Sequence, residues 1–331
     1  MTDPGTPLRI GILGAARIAP NAIIHPARHH PAVTAIAVAA RDATKAQTFA
    51  HHYQVPRVHT SYAALIDDPD VDAIYNPLPN NLHAVWTIRA LEAGKHVLCE
   101  KPFAANSDEA VAMAATAERT DMVLMEAFHY RYHPLILRAL EILHSGEIGT
   151  IRHIETAMCV PNLRWWDIRW RYDLAGGALM DVGCYAIHLL RTLAGAEPTV
   201  RNVSVRLRTP QVDRAVKADF TFANGISGHI HCSMWSSTLL KLGAKVVGDR
   251  GVLTIRNPFV PQLYNRLTVH SATGVRHEEA PRTPTYHYQL DAFVEAIHTR
   301  GPFPTDPLDA IANMRVIDAI YDAAGLPRRG M

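Results

Sequence analysis

Hydrophobic and polar positions along the first third of the chain alternate between two rhythms. Short apolar runs at Leu8–Leu13, Val33–Ala40, Ala73–Tyr75, His96–Cys99 and Val123–Glu126 read as strands. Between them lie stretches with helical spacing: one from about Ala16, then Lys45–Tyr53, Tyr62–Ile66, Leu82–Ala93 and Asn106–Arg119. The punctuation agrees with the periodicity. Ser61 stands at an N-cap, Gly94 just past a helix end, and Asn106 with Glu109 have capping-box spacing. Strands alternating with helices predict βαβ units and a parallel sheet covered on both faces. The rhythm changes near Ala127. A helix at Pro134–His144 leads to a strand near Ile151–Cys159, and a second helix spans about Ala178–Leu193. Then β-rich runs cluster at Val200–Leu207, Ala218–Phe222, Gly228–Met234, Ala244–Val247, Val252–Arg256 and Arg266–His270, parted by turns such as Asn224-Gly225. Helices near Tyr286–His298 and Leu308–Ala323 close the chain. This half predicts an α+β domain with a largely antiparallel sheet and helices on one face.

Composition narrows the function classes. The 331 residues are about two domains' worth, and 48% hydrophobic content supplies two cores. Lys+Arg 33 against Asp+Glu 31 leaves +2, a balance that calls for neither nucleic acid nor an anionic membrane as partner. The 19 histidines raise that charge as pH falls. Cys99, Cys159, Cys184 and Cys232 are scattered with no CxxC, which argues against a disulfide framework and points to a reducing, cytoplasmic setting. The start of the chain lacks the pattern of a signal peptide, and no run of eighteen apolar residues suggests a membrane span. A soluble two-domain protein is expected.

The first strand runs into Gly14-Ala15-Ala16-Arg17-Ile18-Ala19, a G-x-A-x-x-A form of the dinucleotide fingerprint. Small side chains there let backbone N–H groups approach a pyrophosphate, so Gly14, Ala16, Arg17 and Ile18 are candidate cofactor contacts in a Rossmann domain. An acidic residue at the end of the second strand commonly binds the ribose of NAD. Here Ala40 and Arg41 leave room for a 2′-phosphate and offer a forked cation, which favours NADP(H) and leaves NAD(H) open. The other reading makes Arg41 a solvated turn residue and Asp42 the acid.

Lys101, in Cys99-Glu100-Lys101-Pro102, sits at the carboxyl end of a strand, where open α/β sheets bind ligands; alone it would read as a surface charge. A helix over Gly176–His188 would set Asp181, Tyr185 and His188 at i, i+4 and i+7 along one face. That stripe is either chemistry or a hydrogen-bonded core, in which Tyr185 packs its ring and His188 is a core histidine.

These residues together resemble the glucose–fructose oxidoreductase and inositol dehydrogenase family of nicotinamide oxidoreductases, over nearly the whole chain. The resemblance rests on Gly14–Ala19, on Asn76-Pro77-Leu78-Pro79-Asn80 with His83, and on Glu100-Lys101-Pro102 paired with Gly-Gly-x-x-x-Asp181-x-x-x-Tyr185. Met125–Pro134 and Tyr185 are most similar to its dihydrodiol and xylose dehydrogenase branch, which uses NADP(H). The resemblance implies a doubly wound Rossmann domain over 1–127 and a substrate-binding and oligomerisation domain over 128–331, whose open sheet face serves a homodimer or a higher homo-oligomer. It adds Asn76, Pro77, Leu78, Asn80, His83, Glu100 and Lys101 to the cofactor site. It implies hydride exchange between nicotinamide and a secondary alcohol or carbonyl of a small molecule, a sugar or cyclic diol. Tyr185 would be the acid/base: a phenol has a pKa near ~10, and the charge of Lys101 would lower it while Asp181 orients lysine or substrate. No metal is expected.

The loop Arg164-Trp165-Trp166-Asp167-Ile168-Arg169-Trp170-Arg171 is more aromatic than that family usually carries. Trp165, Trp166 and Arg169, with His188, are candidate substrate contacts, since indole faces suit an arene or the C–H face of a sugar. An interdomain or subunit contact would use the same residues. Two further functions stay open: a non-enzymatic NADP sensor of the same fold, and a reductase of keto-sugars, anhydro-sugars or another carbonyl.

Overall fold

The computed structural model describes residues 7–330, which form two compact units. One comprises residues up to Phe128 together with Tyr286–Ile311, the other His129–Thr285 and Ala312 onward.

The first unit is built on a six-stranded, wholly parallel sheet. Its strands are β1 (Leu8–Leu13), β2 (Val33–Ala39), β3 (Arg57–His59), β4 (Ala73–Asn76), β5 (His96–Cys99) and β6 (Leu124–Glu126), in the order β3-β2-β1-β4-β5-β6. The chain winds outward from β1 to β3, then returns to β4 on the other side. This reversal opens a crevice beyond the carboxyl ends of β1 and β4, where such sheets bind ligands. A π-helical turn (Pro20–Ile24) runs into α1 (His25–Arg28), followed by α2 (Ala43–Tyr53), α3 (Tyr62–Ile66), α4 (His83–Glu92) and α5 (Ser107–Thr120). Gly11 shows how closely helix meets sheet, because a Cβ there would lie 2.5 Å from Leu65 Cδ2 of α3.

Local signals set most boundaries. Asp42, Ser61 and Asn106 accept backbone N–H groups from Lys45, Ala64 and Glu109. Gly94, at φ +73°, ends α4. Two expectations need correction. The first helical turn starts at Pro20 rather than Ala16, because residues 16–19 form a hydrogen-bonded turn and proline suits a first helical position. Strand β3 had no apolar run to announce it, since Arg57 and Val58 are exposed at the sheet edge.

The second unit carries an eight-stranded sheet in the order β14-β13-β12-β11-β7-β10-β9-β8. The strands are β7 (Ile151–Cys159), β8 (Pro198–Thr209), β9 (Val212–Phe222), β10 (Ser227–Ser233), β11 (Lys241–Gly248), β12 (Val252–Arg256), β13 (Arg266–Ser271) and β14 (Gly274–Glu278). Every pairing is antiparallel except β7 with β10. α6 (Pro134–His144) starts at His133, whose Nδ1 accepts the Leu135 N–H. The expected helix over 178–193 is two pieces, a π-helical turn (Leu179–Gly183) and α7 (Cys184–Ala194). α7 packs on the sheet, with the Thr156 hydroxyl donating to Ala186 O and Leu190 3.2 Å from where a Cβ of Gly228 would stand. Solvent reaches a row in which His153 pairs with Glu155 along β7 and His229 pairs with Asp219 across β10 and β9. β14, exposed along nearly all its length, was not expected. The last two helices are α8 (Thr285–Thr299) and α9 (Pro307–Ala323). Residues 286–311 close the β6 edge of the first unit: Glu126 N–H donates to Thr305 O and Arg300 donates to Asp121 O. No helix among the described residues is long and apolar enough to cross a membrane.

One buried and one half-buried histidine make this unit acid-sensitive. Burial pushes His83 and His96 down from 6.5 to about 4. His96 Nδ1 accepts the Val123 N–H, a bond its protonation would break. Between pH 6.5 and 4 the unfolded imidazoles take up protons that the folded ones refuse, so stability falls with pH through that window, by about 2–3 kcal/mol per histidine at pH 4.5. Denaturant melts at pH 7 and 4.5 check this: H96Q should lower stability at pH 7 but flatten the pH dependence, and an unchanged slope contradicts it.

Candidate active site

At the end of β1, Gly14 takes φ +91° and donates its N–H to Ala39 O at 2.6 Å. A side chain would be strained there, and its Cβ would lie 3.2 Å from Leu78 Cδ2. Ala15 and Ala16 follow with only methyl groups, and Arg17 is exposed. At the end of β2 Arg41 is exposed, whereas the Asp42 carboxylate is spent capping α2. Burial pushes the Tyr62 phenol up while the charge of Arg41 pulls it down, which puts that guanidinium beside the first residue of α3.

The loop after β4 is held by its own side chains. Asn76, fully buried, donates to His83 O and Thr87 Oγ1 and accepts the Leu78 N–H. His83 lies 2.8 Å from Leu78 O through Nε2 and 2.8 Å from Pro102 O through Nδ1. It therefore ties the Asn76–Asn80 loop to the strand end carrying Lys101. Glu100 accepts the Tyr75 hydroxyl at 2.8 Å, and Glu126 Oε1 accepts the Phe103 N–H. Asn76, Leu78, His83, Glu100 and Lys101 thus meet at one edge, with Lys101 itself half-buried. The Asn76 and His83 side chains face backbone rather than solvent.

In the second unit, one buried ion pair shapes the approach to Tyr185. Arg329 and Asp213, both 0% exposed, pair at 2.9 Å. Arg329 Nε also donates to Gly176 O, Tyr321 donates to Asp213 Oδ1, and Asp213 Oδ2 accepts the Leu179 N–H that opens the π-helical turn. Both glycines are required. Gly177 has φ +138° and its Cβ would fall 2.3 Å from Asp213 Oδ1, while a Cβ on Gly176 would fall 2.6 Å from Arg169 O.

Asp181 lies in that π-helical turn and Tyr185 and His188 lie in α7, so the three do not share a regular α-helical stripe. Asp181 accepts Arg169 Nε at 2.9 Å, and Arg169 also pairs with Asp167, whose carboxylate caps the short turn Ile168–Trp170. Both carboxylates hold the Arg169 guanidinium firmly charged. Tyr185, 5% exposed, has its hydroxyl 3.0 Å from His129 Nε2, and His129 Nδ1 is 2.7 Å from Thr285 Oγ1. His188, 1% exposed, lies 2.6 Å from the Tyr130 hydroxyl through Nδ1. Of the tryptophans, Trp165 stacks on Trp170, meets Trp235 edge-on and carries the Arg208 guanidinium over its face. Trp166 is 81% exposed. Sequence reasoning missed His129, Thr285, Asp213 and Arg329. His129 was the unassigned position inside the Met125–Pro134 stretch, and the other three gave no local signal.

Residues 8–128 match an oxidoreductase family with an NAD-binding Rossmann fold, and residues 136–254 match the GFO/IDH/MocA C-terminal domain. An NADP(+)-dependent D-xylose 1-dehydrogenase of Haloferax volcanii is 34% identical over 96% of this chain and 97% of its own. A mouse trans-1,2-dihydrobenzene-1,2-diol dehydrogenase is 32% identical over 77% of this chain and 76% of its own. A 3-ketoreductase from Actinomadura kijaniata, crystallised with NADP and TDP-benzene, superposes with a TM-score of 0.89 at 28% identity, covering 96% and 98% of the two chains. The chain belongs to the GFO/IDH/MocA oxidoreductase family. It is a nicotinamide-dependent oxidoreductase of the group acting on sugars or diols.

If the buried pair sets the π-helical turn, R329A strands the Asp213 carboxylate and costs on the order of 3–5 kcal/mol. Thermal melting should show a fall of several degrees, and a melt within a degree of wild type would contradict the role of the pair.

Proposed function

We propose that this protein moves hydride between NADP(H) and a secondary alcohol or carbonyl of a sugar or cyclic diol, with Tyr185 as the acid/base. On this reading residues 1–127 bind the dinucleotide, and 128–331 bind substrate and associate into a homodimer in the cytoplasm. The observation carrying it is the buried Tyr185 hydroxyl, joined to an imidazole and so supplied with a group that can hold its proton. The first unit fits the dinucleotide. Gly14 at positive φ and two alanines leave the backbone open to a pyrophosphate, with Arg17 and Ile18 beside them. Exposed Arg41, with Ala40 before it and Asp42 occupied as a cap, suits a 2′-phosphate better than a bare ribose. Asn76, Pro77, Leu78, Asn80, His83 and Glu100 shape the loop edge that would receive the nicotinamide end.

The nicotinamide supplies the hydride acceptor or donor; the chain supplies position and a proton. In alcohol oxidation the Tyr185 oxygen takes the substrate hydroxyl proton, and in carbonyl reduction it returns one. Lys101 lends the positive charge that favours phenolate, and Asp181 orients the reacting hydroxyl. Trp166, Trp165, Arg169 and His188 are proposed to meet the substrate.

Two measurements test this. With D-xylose, other pentoses, hexoses, inositols and cyclic trans-diols as a panel, and keto-sugars for the reverse direction, NADPH absorbance should report turnover of one class. Y185F and K101A should then lower kcat by about 10²–10⁴-fold while still binding NADPH; near-wild-type turnover of Y185F contradicts the assignment. R41A should weaken NADP(H) by roughly 10–100-fold and leave NAD(H) nearly unchanged, and an unaltered preference overturns the role of Arg41.

A further inference from the structure

The hydroxyl of Tyr185 is not an isolated phenol. It ends a buried chain of three side chains drawn from distant parts of the sequence: Tyr185 on α7, His129 on the short turn His129–Tyr132, and Thr285 at the start of α8. The contacts are 3.0 Å and 2.7 Å, both hydrogen bonds by length, and the residues are 5%, 4% and 0% exposed. Tyr130 and Phe259 pack their rings against Tyr185, so the phenol is held in one orientation. His188 is engaged through Nδ1 by the Tyr130 hydroxyl.

We propose that His129 is the positioning residue that holds the Tyr185 proton. This rests on Tyr185 being the acid/base. Imidazole and phenol differ in reference pKa by about 3.5 units, so at rest the proton sits on tyrosine. In the tautomer the relay uses, the hydroxyl donates to Nε2 and Nδ1–H donates to Thr285 Oγ1, a hydroxyl able to accept it. In alcohol oxidation the Tyr185 O–H bond breaks as Nε2–H forms, leaving phenolate beside imidazolium. The phenolate oxygen takes the substrate hydroxyl proton as the carbon gives up its hydride to the oxidised nicotinamide. One proton remains on His129 and leaves to solvent before the next turnover; carbonyl reduction runs the same transfers backward. Without such an acceptor, phenolate would have to form by releasing its proton to water within the chemical step itself.

Glutamine can fill the place of His129 and donate to Tyr185, but it cannot take a proton. H129Q should therefore lower the single-turnover rate of NADP⁺ reduction by about 10²-fold or more, with D-xylose or trans-cyclohexane-1,2-diol as substrate. KM and NADPH affinity should stay within about threefold, a split that loss of folding would not produce. T285V, which keeps the shape but removes the hydroxyl, should fall between H129Q and wild type. If Y185F is inactive and H129Q keeps the wild-type rate, the relay is overturned and the acid/base assignment stands; if Y185F is active, both fail. Should H129Q not fold, the wild-type single-turnover rate in H₂O–D₂O mixtures decides. Two protons in flight give a curved dependence, and a straight line overturns the relay.

Discussion

The ion pair between Arg329 and Asp213 is the constraint on which the geometry of the second unit hangs. Two opposite charges with no solvent contact are tolerable only if their remaining hydrogen-bonding capacity is met. Here Gly176 O, the Tyr321 hydroxyl and the Leu179 N–H meet it. The pair therefore does more than neutralise itself. It grips the Gly176 carbonyl and the Leu179 N–H, the first of the π-helical turn, with Gly177 at positive φ between them. Asp181 and Tyr185 follow within eight residues of that anchor, so their directions descend from it. The paired glycines are the imprint of the pair on the sequence, because any Cβ would overlap the carboxylate or the loop before it.

A comparable economy governs the first unit. The Asn76 and His83 side chains are consumed in satisfying backbone groups of the two loops that follow β4 and β5. His83 has a carbonyl at each ring nitrogen, yet burial keeps the ring neutral, so a single N–H serves one carbonyl at a time. Its value to the site is positional: it keeps the strand end bearing Lys101 registered against the loop bearing Leu78 and Asn80.

What the sequence made legible follows from the range of each interaction. The βαβ alternation, the caps at Ser61 and Asn106 and the glycine turn at Gly14 are local, spanning a few residues, and they read correctly as a parallel sheet followed by a largely antiparallel one. Features whose cause lies far along the chain were silent. Asp213 and Arg329 are 116 residues apart and His129 and Thr285 are 156 apart, with no periodicity linking them. Strands β3 and β14 are exposed edges, so they lack the apolar pattern that marks a strand. The π-helical turn escaped for a subtler reason: its apolar spacing continues that of α7, and the carboxylate of Asp213 that holds its first N–H lies far along the chain. That Tyr286–Ile311 counts with the first unit is likewise invisible in its helical spacing.

The tryptophan loop joins these threads. Its composition suggested a binding surface, and the structure divides it: Trp170 is buried, whereas Trp165 stacks on it and beneath Arg208 yet stays 45% exposed. Trp166 stays in solvent, and Arg169, three residues on, binds the Asp181 carboxylate directly. A ligand that moved Trp166 would pull on a short 3₁₀ turn capped by Asp167, and the guanidinium would carry that displacement to Asp181. On the proposed assignment, substrate selection and orientation of the reacting hydroxyl are therefore coupled through one ion pair. Specificity in this chain then depends on the tether beneath the exposed indole as much as on the indole itself.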